Sequence, residues 1–527
     1  MPLVNRRGAL GALGAVGATA AGLLWWRSAP GRAVSAAAPS AGPSTAPVIP
    51  AAPGVPATPA ARPRTAPLPS EPGRIRAENA RTGSTAWKPG HHGARTTDDV
   101  AHRIKGYTSA TSVGAGERLD FHVSVTPGGA YTVAIYRLGD YGGAGARHMV
   151  TSPVLDGVPG APPALDAAGG MLACDWPVGW SLDVPADWTS GAYLAVFDDR
   201  QGNRNYTVFV VRDDRRAADF LVVLPFATYQ AYNQYPLDGR AGKSLYYGYG
   251  PDGRNDYSVR ARKVSFDRPY MKDGMPTRFD LDRSVITWME GAGHDVAYAS
   301  SVDIEAGRVD PSWYRAMVFS GHDEYWSDPM RKVVEDAHRA GVGQAWLTAN
   351  NIYWHVRFEQ NARGVANRVM NCWRDDVDPG APLLSAPTDR WRSIRRPEQE
   401  FLGVQYNGIV ARHTPLVVRS SGHWLWAGTG VRDGDAIAKV VGGEADGVEA
   451  GVPLPPGVQQ TLLSHSPYPL SNGTDRVQNT SLYERPDGTV MFCAGTFNWA
   501  LALGHPQYRD DRIRRATANL FDRLRQA

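Results

Sequence analysis

Three apolar runs of strand length, each breaking off into a cluster of polar and aromatic residues, constrain this chain most. They are Phe220-Leu221-Val222-Val223-Leu224, Ala316-Met317-Val318-Phe319-Ser320 and Gln344-Ala345-Trp346-Leu347-Thr348. Such continuous runs read as strands buried on both faces, because a strand with one wet face alternates apolar and polar residues. A helical pattern over Leu281 to Met289 leads into a further strand, Asp295 to Ala299. Ser327 caps a second helix, with Pro329 in its first turn, Met330, Val333, Val334 and Ala337 along one stripe, and Gly341 as its stop. Strand, helix, strand, helix, strand predicts a parallel sheet with right-handed crossovers. Ile513, Ala516, Leu520, Phe521 and Leu524 mark a closing helix over one face.

At 527 residues the chain is too long for one ordinary domain. From about Tyr107 to Asp214 the pattern has period two: Leu119, Phe121, Val123 and Val125 alternate with polar residues, as do Tyr131, Val133 and Ile135. With turns between them, these segments predict an antiparallel β-sandwich over 75–215, followed by an α/β domain over 216–527. No internal repeat is present. Asn5-Arg6-Arg7-Gly8 and the nineteen uncharged residues Gly8 to Trp26 predict a twin-arginine export signal over 1–36, with Val34-Ser35-Ala36 for cleavage. Retention as a membrane anchor is the competing reading; five glycines in the run favour cleavage and leave no span in the mature chain. Eleven prolines between Pro39 and Pro72 predict an extended tether over 37–74. Twin-arginine export carries folded proteins, so a metal could be loaded before the chain leaves.

Residues 1–36 hold four arginines and no acid, leaving 52 basic against 52 acidic residues in the remainder. A neutral body without a basic tract does not suit nucleic acid, whose binding rests on phosphate neutralisation. Cys174, Cys372 and Cys493 are too few and too scattered for a disulfide scaffold or a thiolate metal site; one bridge and three buried thiols both remain open.

In an open parallel sheet, ligands bind beyond the carboxyl ends of the strands. There this chain has Thr228-Tyr229-Gln230-Ala231-Tyr232-Asn233, then Gly321-His322-Asp323-Glu324-Tyr325-Trp326, then Ala349-Asn350-Asn351. A loop-rich insertion adds Phe266-Asp267-Arg268-Pro269-Tyr270. Each group has an ordinary structural explanation taken alone: rim aromatics, a helix-capping acid, a hydrogen-bonding histidine. Their convergence on one rim is what predicts a site.

These motifs, with Lys263-Val264-Ser265 before Phe266, Ile352-Tyr353-Trp354 after Asn351 and the late Phe492-Cys493-Ala494-Gly495-Thr496-Phe497-Asn498-Trp499, resemble the large (beta) subunit of N,N-dimethylformamidase. The resemblance runs over roughly 100–505 and is strongest over 219–375. It implies a sandwich followed by a domain like class I glutamine amidotransferases, and amide hydrolysis at a mononuclear ferric iron, Fe(III), held by two tyrosines and a glutamate. Carried onto this chain, the ligands would be Tyr229, Tyr270 and Glu324, with His322 and Asn350 orienting water or substrate. Hard phenolate and carboxylate oxygens suit such an ion, and a donor like Asn350 would stabilise a developing oxyanion by ~3 kcal/mol. With Glu324 a ligand, the base falls to His322 or to water activated by the metal.

Glutamine-amidotransferase chemistry itself is excluded, since no cysteine follows a buried strand in a tight turn, and no G-x-S-x-G is present for a serine triad. The expectation is an exported amidohydrolase acting on a small molecule, with a separate small subunit or a second copy as partner. The alternatives are hydrolysis of another secreted substrate, such as a sugar amide, and a non-catalytic exported protein holding a carbohydrate or cell-wall ligand in an aromatic-rich cleft.

Overall fold

The computed structural model describes residues 66–381 and 386–526. The expected export signal and most of the expected tether lie outside these residues. Pro67–Ala527 falls into one compact unit. Among the described residues no helix is long and apolar enough to cross a membrane.

The period-two segments form two packed sheets. Strand Gly191–Asp199 lies between Gly129–Leu138 and Asn203–Arg212, antiparallel to both, with Leu194 opposite Tyr136 and Val208. Val178–Asp183, Arg118–Val125 and Ile104–Thr108 make the second sheet. Inward residues of both, including Phe121, Val123, Ile135, Phe197 and Phe209, share one core, as period-two patterning requires. The sheets approach so closely at Gly106 that a β-carbon there would sit 2.4 Å from the Phe197 ring. Cys174, Cys372 and Cys493 are all free and buried, which settles the open reading in favour of thiols.

The apolar runs become strands of a seven-stranded sheet: β1 (Ala218–Leu224), β2 (Val296–Ser300), β3 (Tyr314–Phe319), β4 (Gly343–Trp346), β5 (Gln459–Leu462), β6 (Ser481–Glu484) and β7 (Val490–Cys493). The order is β2-β1-β3-β4-β7-β6-β5. The first five in that order run parallel, as expected. β6 runs antiparallel to β7, to which a short turn joins it, and β5 runs antiparallel to β6 at the edge. β2 and β3 flank β1 on opposite sides, so the connections diverge there and leave a crevice beyond the strand ends.

Helices α1 (Phe226–Tyr232), α2 (Phe279–Gly291), α3 (Asp328–Arg339), α4 (Asn498–Gly504) and α5 (Asp511–Gln526) accompany this sheet. The Ser327 hydroxyl accepts from the Met330 amide at 3.2 Å and caps α3, while α5 buries its expected apolar stripe. Between β4 and β7 the chain also forms short antiparallel strand pairs that the sequence pattern did not announce, among them Gln405–Ile409 with Glu444–Gly447.

One buried ion pair ties the sandwich to the parallel sheet. Both Arg137 and Glu290 side chains are 0% exposed, and the guanidinium grips the α2 carboxylate with two bonds of 2.7 and 2.8 Å.

Two histidines give the fold an acid sensitivity of defined sign. Burial lowers His294, beside Phe220, Trp288 and Phe521, to about 4, and lowers His338, beside Phe401 and Tyr483, likewise to about 4. An unfolded histidine takes up its proton near 6.5. Each therefore contributes stability that is present above about pH 6.5 and lost as the pH falls towards 4. NMR of the imidazole carbon-bound protons should show both rings neutral in folded protein at pH 5; a midpoint near 6.5 for either would refute the assignment.

Candidate active site

The carboxyl ends of β1, β3 and β4 supply the site. After β1, Pro225 opens α1 and places Tyr229 and Tyr232 on it. After β3, the chain passes through Ser320 and Gly321 to His322, Asp323 and Glu324. Gly321 lies against Asp282 of α2, where a β-carbon would fall 2.3 Å from the carboxylate. The amide of Glu324 donates to the Thr228 hydroxyl at 3.0 Å, pinning this loop to α1. After β4, Asn350 and Ile352 both take left-handed backbone (φ 53 for each). Asparagine tolerates that conformation, but β-branched isoleucine does so only under constraint from its surroundings.

Glu324 is the centre. It is 2% exposed. Its Oε2 accepts from the Tyr232 hydroxyl at 2.8 Å and from the Tyr246 hydroxyl at 2.9 Å, and those two hydroxyls are 2.9 Å apart. Three oxygens thus form a nearly equilateral triangle. His322 Nε2 stands beside it, 3.1 Å from Glu324 Oε2 and 3.2 Å from the Tyr232 hydroxyl. Glu444 comes from the unannounced strand pair: its Oε2 lies 3.9 Å from His322 Nε2 and accepts from Asn350 Nδ2 at 2.6 Å. Asp446 on the same strand accepts from the Asn350 amide at 2.8 Å. Asn350 Oδ1 and His322 Nδ1 are buried with no protein partner.

The electrostatics follow from burial and these contacts. Burial raises Glu324, but the His322 hydrogen bond and charge, with the Tyr246 and Tyr232 hydroxyls, outweigh it and hold the carboxyl below its ordinary range. Burial opposes a charge on His322, yet Glu444 and Glu324 together raise it above an ordinary imidazole. Burial keeps Glu444 above the usual carboxylate range even though His322 attracts its charge. Burial likewise lifts Tyr232 and Tyr246, and the Glu324 charge adds to it. Arg374 stacks over the Tyr246 ring at 4.4 Å and over Trp354 at 4.3 Å, and donates to the Tyr325 hydroxyl at 2.6 Å.

Of the residues expected at the site, Glu324 and Asn350 lie with His322 around Glu444. The two tyrosines do not. The Tyr229 hydroxyl donates to Asp282 Oδ2 at 2.6 Å, in a buried knot that Ser320 completes through Asp282 Oδ1 at 2.6 Å; burial pushes Asp282 up to about 7. Tyr270 packs edge-on against the Tyr229 ring, centroids 6.3 Å apart. The phenols on Glu324 are Tyr232 and Tyr246. α1 turns Tyr229 towards α2 and Tyr232 towards the β3 loop, a rotation fixed by Asp282 rather than by anything in the TYQAYN motif. Tyr246 and Glu444 were not anticipated; Ser244-Leu245-Tyr246-Tyr247 and Gly443-Glu444-Ala445 carry no spacing that announces them. Among the described residues no group of three or more His, Cys, Asp or Glu is arranged to hold a metal.

Fold and site together define a sheet-rich α/β protein whose polar centre, built of phenols, carboxylates and one imidazole, lies at the carboxyl edge of a parallel sheet. The family model described as "N,N-dimethylformamidase beta subunit-like, C-terminal" matches residues 132–511, and the chain belongs to that family. No curated protein matches the chain. Among solved structures, a Paenibacillus sp. cycloisomaltooligosaccharide glucanotransferase complexed with cycloisomaltoheptaose is 14% identical, with a TM-score of 0.14. That match covers 40% of this chain and 30% of the other.

Proposed function

We propose that this chain is an exported hydrolase of amide C–N bonds in small molecules, working at a mononuclear ferric centre held by Tyr232, Tyr246 and Glu324. The observation that carries the reading is the oxygen triangle, with edges of 2.8, 2.9 and 2.9 Å. Adjacent oxygens around a six-coordinate cation with bonds of about 2.0–2.1 Å are about 2.9 Å apart, so the three atoms fit one face of such a site. Phenolate and carboxylate are hard donors suited to a trivalent ion, and three such anions would neutralise it. Family membership supports the hydrolase class and a separate small subunit as partner. The five parallel strands and their crossover helices support a likeness to class I glutamine amidotransferases, and Arg6-Arg7 before an uncharged run supports export.

Bound there, ferric iron would act as a Lewis acid on the amide carbonyl and make a coordinated water more acidic. The protein's own groups supply the rest. Glu444 Oε2, which accepts from Asn350 Nδ2 at 2.6 Å and lies 3.9 Å from His322 Nε2, is placed to accept a proton from attacking water. His322 Nε2, 3.1 Å from Glu324 Oε2 and 3.9 Å from Glu444 Oε2, is placed to deliver a proton to the leaving nitrogen. Asn350 gives one Nδ2 hydrogen to Glu444, and its second Nδ2 hydrogen and unpartnered Oδ1 remain to donate to and accept from a substrate amide.

Metal analysis and a visible spectrum of exported protein, with an assay for amine release, test this reading. The expected result is about one iron per chain with a phenolate-to-iron charge-transfer band; colourless, iron-free protein that releases no amine would sink it. Glu444→Gln should lower kcat by about 10²–10⁴, the usual worth of a general base, while iron content and colour stay at the wild-type level. Loss of iron in that variant would instead make Glu444 a ligand.

A further inference from the structure

The arginines bordering the site are committed, with one exception. Arg374 is buried between two rings and bonded to Tyr325, Arg392 pairs with Glu398 at 3.0 Å, Arg368 pairs with Asp267 at 2.7 Å, and Arg268 donates to the Lys243 and Asn233 carbonyls. Arg278 differs. It is exposed, and its guanidinium carbon sits over the Phe497 ring, 4.9 Å from the centroid. The same ring also neighbours His322, ring centroids 4.6 Å apart. One phenyl ring therefore neighbours both the guanidinium of an exposed residue and the imidazole at the reacting centre. Its backbone is left-handed (φ 63) at the head of α2, a conformation that costs an arginine free energy and recurs where a side chain is held for a purpose. Besides burial and the attraction between imidazole and carboxylates, the Arg278 charge also acts on both His322 and Glu444.

We infer that Arg278 is the specificity residue of this site, and that it receives a carboxylate carried by the substrate on the nitrogen side of the cleaved amide bond. The substrate class is then an anionic amide, such as an N-acyl amino acid, rather than a small neutral amide. A planar guanidinium presents paired N–H donors that match a carboxylate, and stacking on an aromatic ring keeps the fork oriented while its edge faces solvent. The oxygen triangle and His322 are taken up by the amide group itself, so a substrate carboxylate is met beside them, where Arg278 stands. Water adds its hydroxyl to the carbonyl carbon and its proton to the nitrogen as the C–N bond breaks, releasing a carboxylic acid and an amino acid.

This inference rests on the hydrolase reading, and binding separates the two. Calorimetry of the full chain with N-acetylglycine and its neutral analogue N-acetylglycinamide should show the acid binding about tenfold or more tightly. Arg278→Gln should bring the two to equal affinity, and Arg278→Lys should keep part of the preference. Equal affinities in the wild type, a preference surviving in Arg278→Gln, or no binding of either compound would overturn the role of Arg278. A preference that obeys the variants without any release of glycine would leave Arg278 standing and remove hydrolysis instead.

Discussion

Tyr246→Phe is expected to give a folded, colourless protein without iron and with amide hydrolysis reduced by at least about 10³-fold, and Tyr232→Phe should do the same. Each change deletes one corner of the oxygen triangle on Glu324, and two anionic donors would no longer neutralise a trivalent ion or fix its geometry. The contrast lies with two neighbouring phenols. Tyr229→Phe and Tyr270→Phe should keep both iron and colour, because Tyr229 spends its hydroxyl on Asp282 and Tyr270 packs against Tyr229. Tyr229→Phe should instead lower stability by about 1–3 kcal/mol, the cost of leaving a buried acceptor short of a donor. Iron analysis and absorption spectra on the four variants decide between the two pairs of ligands. Retention of iron in Tyr246→Phe together with its loss in Tyr270→Phe would restore the pair implied by family resemblance.

The second large effect concerns folding. Glu290→Ala should destabilise the compact unit by about 3–5 kcal/mol, measured by urea unfolding, since it strands a fully buried guanidinium. Arg137 would lose both of its carboxylate bonds, and the Tyr298 hydroxyl and Asn79 amide would lose their acceptor. Replacing both members, Arg137→Met with Glu290→Leu, should cost far less than Glu290→Ala alone, because no uncompensated charge is then buried. If the double variant proves as unstable as the single one, the pair's role is geometric and not electrostatic.

What could be read along the chain was what local order encodes. Unbroken apolar runs at Phe220–Leu224 and Ala316–Phe319 marked strands buried on both faces, and the stripe on α5 marked the helix that covers them. Strand ends then located the crevice, so His322, Glu324 and Asn350 were placed before any contact was known. β5 and β6 escaped notice because short, mixed segments such as Ser481–Glu484 lack the continuous apolar character of their neighbours.

Which oxygens meet was a different matter. Tyr229 and Tyr232 share one short helix and are both largely buried, and only the position of Asp282 on α2 turns one away from Glu324 and leaves the other to face it. Tyr246 and Glu444 reach the centre from a loop and a short strand far from the β3 motif, through hydrogen bonds spanning 78 residues for Tyr246 and, to Asn350, 94 residues for Glu444. Periodicity reports which face of an element is buried and where the element stops, since both are set by neighbours along the chain. The composition of a site depends on helix rotation and on packing between distant segments, and those are settled only when the whole core closes.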